Sequence, residues 1–443
     1  MGLTKTIAKF IVDTKETDIP SAAYDHSKVA FMDWLAVTMA AKDDPLVEKL
    51  IRYADQMGGF EQASIIGHNM KKTVSQATLI NGSASHALDY DDTLATFLGH
   101  PSVTIFPSIL AISEWKEKSG HDFLTAYIIG IKVGATVGMC AGGEHYLIGW
   151  HGTSTLGHFA SAAACARLLG LNEEQTVNAL GIAGTQASGL KRVFGTMCKP
   201  FHAGKSSDAG LLSALLAREG FTSADDILEG AHGFFQVLKG QENEDVINTL
   251  GKTWEVENIA QKYHASCHAT HSPIEAARNI VQKENINLDD IESIKISSSQ
   301  LSCDAAGKTE VNTGLEGKFS IPYCVANALL RGNTGMQAFT DEKVNDQKIK
   351  DLMTKISLVL DDQKLGLEST VEIETKDGRV NSAFSDILQE IPEYEVKKDK
   401  IKAKFLDLCS PILGEAKTIE IVEDIFSLEN QANMKGFIEK FNV

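Results

Sequence analysis

The stretch "GHFASAAACARLLG", residues 157–170, decides the fold class. Its apolar residues recur at three and four spacing, which is the period of a helix. Most of them are Ala, and they occupy several faces rather than one stripe. Small residues on several faces let neighbouring helices approach closely, so the segment reads as a helix buried on more than one side. The same texture runs through "SKVAFMDWLAVTMAA" (27–41), "FLTAYIIGIKVGATVGM" (123–139) and "EEQTVNALGIAGTQASG" (173–189). Residues 20–240 are therefore expected to form a compact multi-helix core.

After residue 285 the period changes from helical to two. "IESIKISSS" (291–299), "KISLVLDD" (355–362) and "STVEIETKDGRV" (369–380) alternate apolar and polar residues, as half-buried strands do. Asp377-Gly378 is expected to make a two-residue hairpin turn. "PYCVANALLRG" between them is helical, and helical texture returns after Pro392 in "KDKIKAKFLDL" and "NMKGFIEKF". The expectation is a mainly α protein with a large all-helical domain over 1–264 and a smaller α+β domain over 265–395. A C-terminal helical segment, 396–443, would pack back on the large domain.

Composition narrows the function. The 443 residues carry 59 Asp and Glu against 42 Lys and Arg, a net charge of −17, which repels nucleic acid and anionic membranes. Clustered cations therefore stand out against an acidic background. No signal peptide is visible at the N-terminus, and no uninterrupted apolar run approaches about 20 residues, so a cytoplasmic location is expected. The seven cysteines are odd in number and never form a Cys-x-x-Cys pair, which argues for reduced thiols and against a disulfide framework or a zinc site. No Gly-x-Gly-x-x-Gly follows a strand, and Walker, His-Glu-x-x-His and Gly-x-Ser-x-Gly patterns are missing, so nucleotide cofactors have no visible seat.

Four stretches interrupt the core-like texture. In "HALDYDDTLATFLGHPS" (86–102), helical spacing would put Asp89, Asp92 and Thr93 on one face with Asp91 pointing elsewhere, followed by His100 in a Gly-His-Pro turn. Close carboxylates split their proton affinities and can supply a base; a helix C-terminus bonding nearby amides is the plainer alternative. "HGTSTLGHFASAA" (151–163) sets His151 and His158 on one helical face, with Thr153 and Ser154 expected to cap the helix start. "GLKRVFGTMCKPFHAGKSSDAG" (189–210) concentrates Lys191, Arg192, Lys199, His202 and Lys205 ahead of a helix expected near Ser206. A basic loop feeding a helix N-terminus is a receptor for carboxylates. "QKYHASCHATHSPIEAA" (261–277) brings Lys262, His264, His268 and His271, read as a loop of catalytic and anion-binding imidazoles with the helix starting near Ser272. Carboxylates, imidazoles and ammonium groups with no cofactor seat suit proton abstraction next to a carboxylate, followed by elimination, decarboxylation or reprotonation.

The same stretches resemble the MmgE/PrpD family. The matching motifs are "NGSASHALDYDDT" with "GHPS", "HGTSTLGHFASAAA", "GTMCKPFHAGKSSDAGLLSALLAREGFT" and "TGLEGKFSIPYCVANALL", in the family's order over roughly residues 20–395. The resemblance implies a homodimer of subunits with a mostly helical large domain and a smaller α+β lid, the site lying between them, and neither metal nor cofactor. It implies catalytic roles for Asp89, Thr93, His100, Tyr323 and either His268 or His271. It also implies carboxylate binding by Lys199, His202 and Lys262, to which the charge pattern adds Lys205 and His151. The activity it implies is a carbon lyase, a decarboxylase or dehydratase, acting on a small di- or tricarboxylate such as cis-aconitate or 2-methylcitrate. An epimerase of an iminodisuccinate-like dicarboxylate and a non-catalytic carboxylate-binding protein remain as alternatives.

Overall fold

The Ala- and Gly-rich segments are helices, and their small residues set the spacing between them. In the computed structural model, which describes residues 2–443, the helices Ser21–Ala40, Val74–Ala87, Ser102–Trp115, Gly120–Leu147, Gly152–Leu169, Glu173–Gln186 and Cys198–Arg218 pack on one another. The Val74–Ala87 and Cys198–Arg218 helices meet backbone to backbone. A Cβ on Gly204 would lie 2.3 Å from the Leu79 carbonyl oxygen, and one on Gly82 would lie 2.7 Å from the Gly204 Cα. These helices belong to one compact unit, formed by the chain up to Gln261 together with Tyr394–Val443. Within it the C-terminal helix Tyr394–Leu413 packs on Ser21–Ala40, and Lys404 Nζ reaches Asp33 Oδ1 at 2.6 Å.

Gly120–Leu147 is long and apolar enough to cross a membrane, but 94% of its most apolar window is buried inside the protein. Lys132, fully buried in that helix, is matched by Glu255 at 2.9 Å and by the hydroxyls of Thr249 and Thr253. A buried ammonium so paired belongs to a protein core.

The second unit, Lys262–Glu393, is built on a four-stranded sheet. Its order is Ile356–Leu360, Ile291–Ser298, Ser369–Thr375, Val380–Ser385; the first pair is parallel and the other two antiparallel. Ile294, Ile296, Val371 and Ile373 supply its buried face, and the helix His271–Lys283 packs against the last two strands and against Ile321–Arg331. A mainly α fold with a large helical part and a smaller α+β part is thus what the chain adopts.

Three local expectations need correction. The hairpin loop has three residues, not two: Thr375 pairs with Arg379 around Lys376, Asp377 and Gly378, and Gly378 takes the left-handed conformation (φ 82°). The basic helix starts at Cys198 rather than near Ser206. Pro200 falls in its first turn, where the backbone N–H groups lack intrahelical partners anyway, so proline does not delay the start. Finally, neither Thr153 nor Ser154 caps the helix Gly152–Leu169; His151 holds the cap position without a side-chain bond.

Candidate active site

The helix Val74–Ala87 ends before the acidic run, with Leu88 at its cap and Asp89 in the left-handed region (φ 51°). Helical-face arithmetic therefore does not apply to Asp89, Asp92 and Thr93, and each carboxylate goes its own way. Asp89, the most exposed of the three, meets Lys199 Nζ at 2.9 Å. Asp92 turns into the core, where the Ser102 hydroxyl donates to it and Ser102 Oγ lies 2.6 Å from Tyr127 Oη. Burial first, and then the charge of Asp33, push the Asp92 carboxyl up to about 8. Thr93 is fixed by a reciprocal backbone bridge to Ala260, at 2.8 and 2.9 Å.

Asp91, which helical spacing turned away from the site, lies in its middle. Its Oδ1 is 2.9 Å from His86 Nδ1 and its Oδ2 is 2.9 Å from His100 Nδ1. Burial raises its proton affinity, but the charges of His86 and His100 and their hydrogen bonds outweigh that and hold Asp91 well below the ordinary carboxylate range. His100 Nε2 in turn faces Asp89 Oδ1 at 3.9 Å. The backbone of the Gly-His-Pro turn is pinned from the next helix, because the His100 N–H donates to Thr153 Oγ1 at 3.1 Å. A Cβ on Gly99 would lie 2.5 Å from that same oxygen, so only glycine lets the turn approach so closely.

Lys199 and His202 share a face of the first turns of Cys198–Arg218. His202 Nδ1 lies 3.0 Å from His151 Nδ1, so in this pair one ring donates and the other accepts. Burial, and then the nearness of His86 and Lys199, hold His151 well below the usual imidazole value; burial lowers His202 as well. Phe194 closes one side, its ring edge-on to His151 at 4.9 Å and 5.6 Å from Lys199 Nζ. Two carboxylates, an ammonium and four imidazoles thus converge, able to bind an anion and to give or take a proton at His100 Nε2.

The second unit gathers its own cluster. His271 has His264 and His268 edge-on at 4.7 Å each, and His264 is held between Thr334 Oγ1 (2.7 Å) and Glu275 (2.9 Å). Burial, then the charges of His264, His268 and nearby Lys262, keep His271 well below the usual imidazole value. The helix here begins at His271, after a 3-10 turn over His268–Thr270. Tyr323 is fully buried and donates its hydroxyl to the Ala338 carbonyl.

Some expected residues lie apart from the first cluster. Lys205, half-exposed, pairs with Asp208 at 3.2 Å, and His158 is a core histidine donating to the Ser154 carbonyl at 2.7 Å. Two members went unassigned in the sequence, His86 and Asp91. Their signal was position: His86 lies five residues before Asp91 across a helix end, but no periodicity links them. One donor atom each from His86, Asp89, Asp91 and His100 lies within 4.8 Å of the others, a set that one divalent cation could use. Their bonds to each other and to Lys199 already pair the charges.

The whole chain has recognisable kin. The model of the MmgE/PrpD N-terminal domain matches residues 5–246 and that of the MmgE/PrpD C-terminal domain matches residues 264–428. A cis-aconitate decarboxylase-like protein of Aspergillus oryzae is 26% identical over 99% of this chain and 96% of its own length. A cis-aconitate decarboxylase of Aspergillus terreus is 26% identical over 100% and 96%. The 2-methylcitrate dehydratase of Escherichia coli is 24% identical over 84% and 81%.

Proposed function

The chain belongs to the MmgE/PrpD family, and from that premise we propose that it is a carbon lyase acting on a small tricarboxylate of the cis-aconitate class without a cofactor. The observation that carries the reading is Lys199 at 2.9 Å from Asp89, with His100 Nε2 3.9 Å from the same carboxylate. In a protein of net charge −17, this places a cation beside a proton-moving pair. Lys199 binds a substrate carboxylate, and its charge makes that group a better sink for electrons developing on the adjacent carbon. His151 and His202, held neutral, donate hydrogen bonds without adding repulsion to Lys199. Asp89 and His100 move the proton. In a decarboxylation the proton is delivered to an alkene carbon while a carbon–carboxylate bond breaks, its electron pair re-forms the double bond, and CO2 leaves. The decarboxylases among the relatives match nearly full length, which favours decarboxylation over dehydration.

A homodimer is part of this reading. Leu147, Ile148, Leu190 and Met197 are exposed apolar residues on two segments joined by the Lys191 N–H to Gly149 carbonyl bond (2.9 Å). An apolar patch next to Lys199 and His202 is a surface that a second copy would cover.

Proton NMR of the purified protein with cis-aconitate, 2-methylcitrate and iminodisuccinate in D2O tests the proposal. Consumption of the cis-aconitate olefinic signal with release of CO2 supports it. Deuterium entering an intact dicarboxylate skeleton makes the protein an epimerase, and silence on all three refutes these substrates.

A further inference from the structure

Two buried lysines of the C-terminal helix Tyr394–Leu413 reach the backbone beside the acidic run. We infer that Lys397 and Lys404 are positioning residues of the site, holding the Asp89–Thr93 segment in the shape in which Asp89 meets Lys199 and His100. The inference rests on the reading of Asp89 as a proton-moving group. Two helical turns apart, the lysines share one helix face. Lys404 Nζ donates to the Tyr90 carbonyl at 2.6 Å, lies 3.7 Å from the Tyr90 ring centre and is ion-paired with Asp33 at 2.6 Å. The carbonyl so held belongs to the peptide that joins Tyr90 to Asp91. Just before it, Asp89 takes the left-handed conformation (φ 51°), which a residue with a side chain keeps only where its surroundings enforce it. Lys404 thus fixes the backbone between the carboxylate that meets Lys199 and the one that meets His86.

Lys397 acts on the far end of the run. Its Nζ donates to the Ile259 carbonyl at 2.8 Å, and the N–H of that same peptide, on Ala260, donates to the Thr93 carbonyl at 2.9 Å. The Thr93 N–H returns a bond to the Ala260 carbonyl at 2.8 Å. An ammonium at one end of a peptide polarises it and strengthens the hydrogen bond that leaves the other end, so Lys397 tightens the bridge that anchors Thr93. Among the described residues its remaining partners are the Glu257 carbonyl at 3.3 Å and His26 Nδ1 at 3.4 Å, not a carboxylate. Lys132, buried in the same unit, is by contrast matched by the Glu255 carboxylate. Burying an ammonium without a counter-charge costs stability that a methionine of similar shape would spare. What the ammonium supplies instead is the bond to Ile259.

Hydrogen–deuterium exchange of the ligand-free protein, read by mass spectrometry with fragmentation to single residues, tests this. In Lys397→Met the Thr93 and Ala260 amides are expected to exchange about tenfold faster or more, the effect of losing one hydrogen bond from a charged donor, with a smaller change in the helix Gly152–Leu169. No acceleration at Thr93 and Ala260, or the same acceleration in that helix, overturns the inference. Where the variant does not fold, the native protein decides: Thr93 and Ala260 amides that exchange there as fast as in an unfolded chain overturn it too. With a substrate that the native protein turns over, two variants are compared, Lys397→Met and Lys404→Met combined with Asp33→Asn so that no buried carboxylate is stranded. Each should lower kcat on the order of 10²-fold with KM within about twofold, the scale of a displaced reacting group. An unchanged kcat, or a loss confined to KM, contradicts the inference. Because the exchange measurement needs no substrate, failure to turn over tricarboxylates refutes the lyase reading while exchange still decides whether Lys397 holds the run.

Discussion

The buried acid Asp92 makes stability depend on pH in a way that one substitution should abolish. Its carboxyl is held near 8 by burial and by Asp33, against an ordinary value near 4 in the unfolded chain. The folded state therefore keeps a proton that the unfolded state gives up. The stability associated with that proton is complete below about pH 4 and is lost as pH rises through about 8. Each pH unit between those limits removes about 1.4 kcal/mol, and the loss levels off above the folded value. From about pH 6 to pH 9 the native protein should lose on the order of 3 kcal/mol through this residue alone. Asp92→Asn keeps the donor and acceptor that the protonated acid offers to Ser102 and has no proton to lose. Denaturant midpoints of the two proteins, compared at several pH values, should diverge as pH rises, with the variant the more stable at the alkaline end. Parallel curves would show that Asp92 is ionised in the folded protein and refute the reasoning.

Lys199→Ala removes a charge-assisted contact worth about 1.5–3 kcal/mol, so kcat/KM should fall about ten- to hundredfold or more, and calorimetry should show weaker tricarboxylate binding. Gly204→Ala drives a methyl into the Leu79 carbonyl, and its unfolding free energy should drop by about 1–3 kcal/mol in urea titrations. Leu147→Glu places a charge on an exposed side chain of the apolar patch; light scattering should then report one chain where the native protein reports two.

The fold was legible where the physics is local. Ala160, Ala163, Ala164 and Ala166 announce close helix packing, and Ile294, Ile296, Val371 and Ile373 announce a one-sided sheet, because burial period follows backbone geometry. The site was legible as a set of residue types in four stretches, and Asp89, His100, Lys199, His202 and His151 do meet. What escaped depends on contacts distant in sequence or on a break in the helical period. Asp91 was misplaced because Asp89 adopts the left-handed conformation and ends the face arithmetic two residues earlier. The roles of Ser102 and Tyr127 towards Asp92, and of Lys404 towards Asp33, are tertiary and leave no periodic mark. The start at Cys198 was hidden by Pro200, which reads as a breaker yet sits where a helix tolerates it.

The central claim is that Asp89, beside Lys199 and His100, moves the proton of the reaction. The most direct measurement is kcat of Asp89→Asn on the tricarboxylate that the native protein turns over, with binding followed by calorimetry. The account predicts a fall on the order of 10²-fold or more with substrate still bound. An unchanged kcat would contradict it.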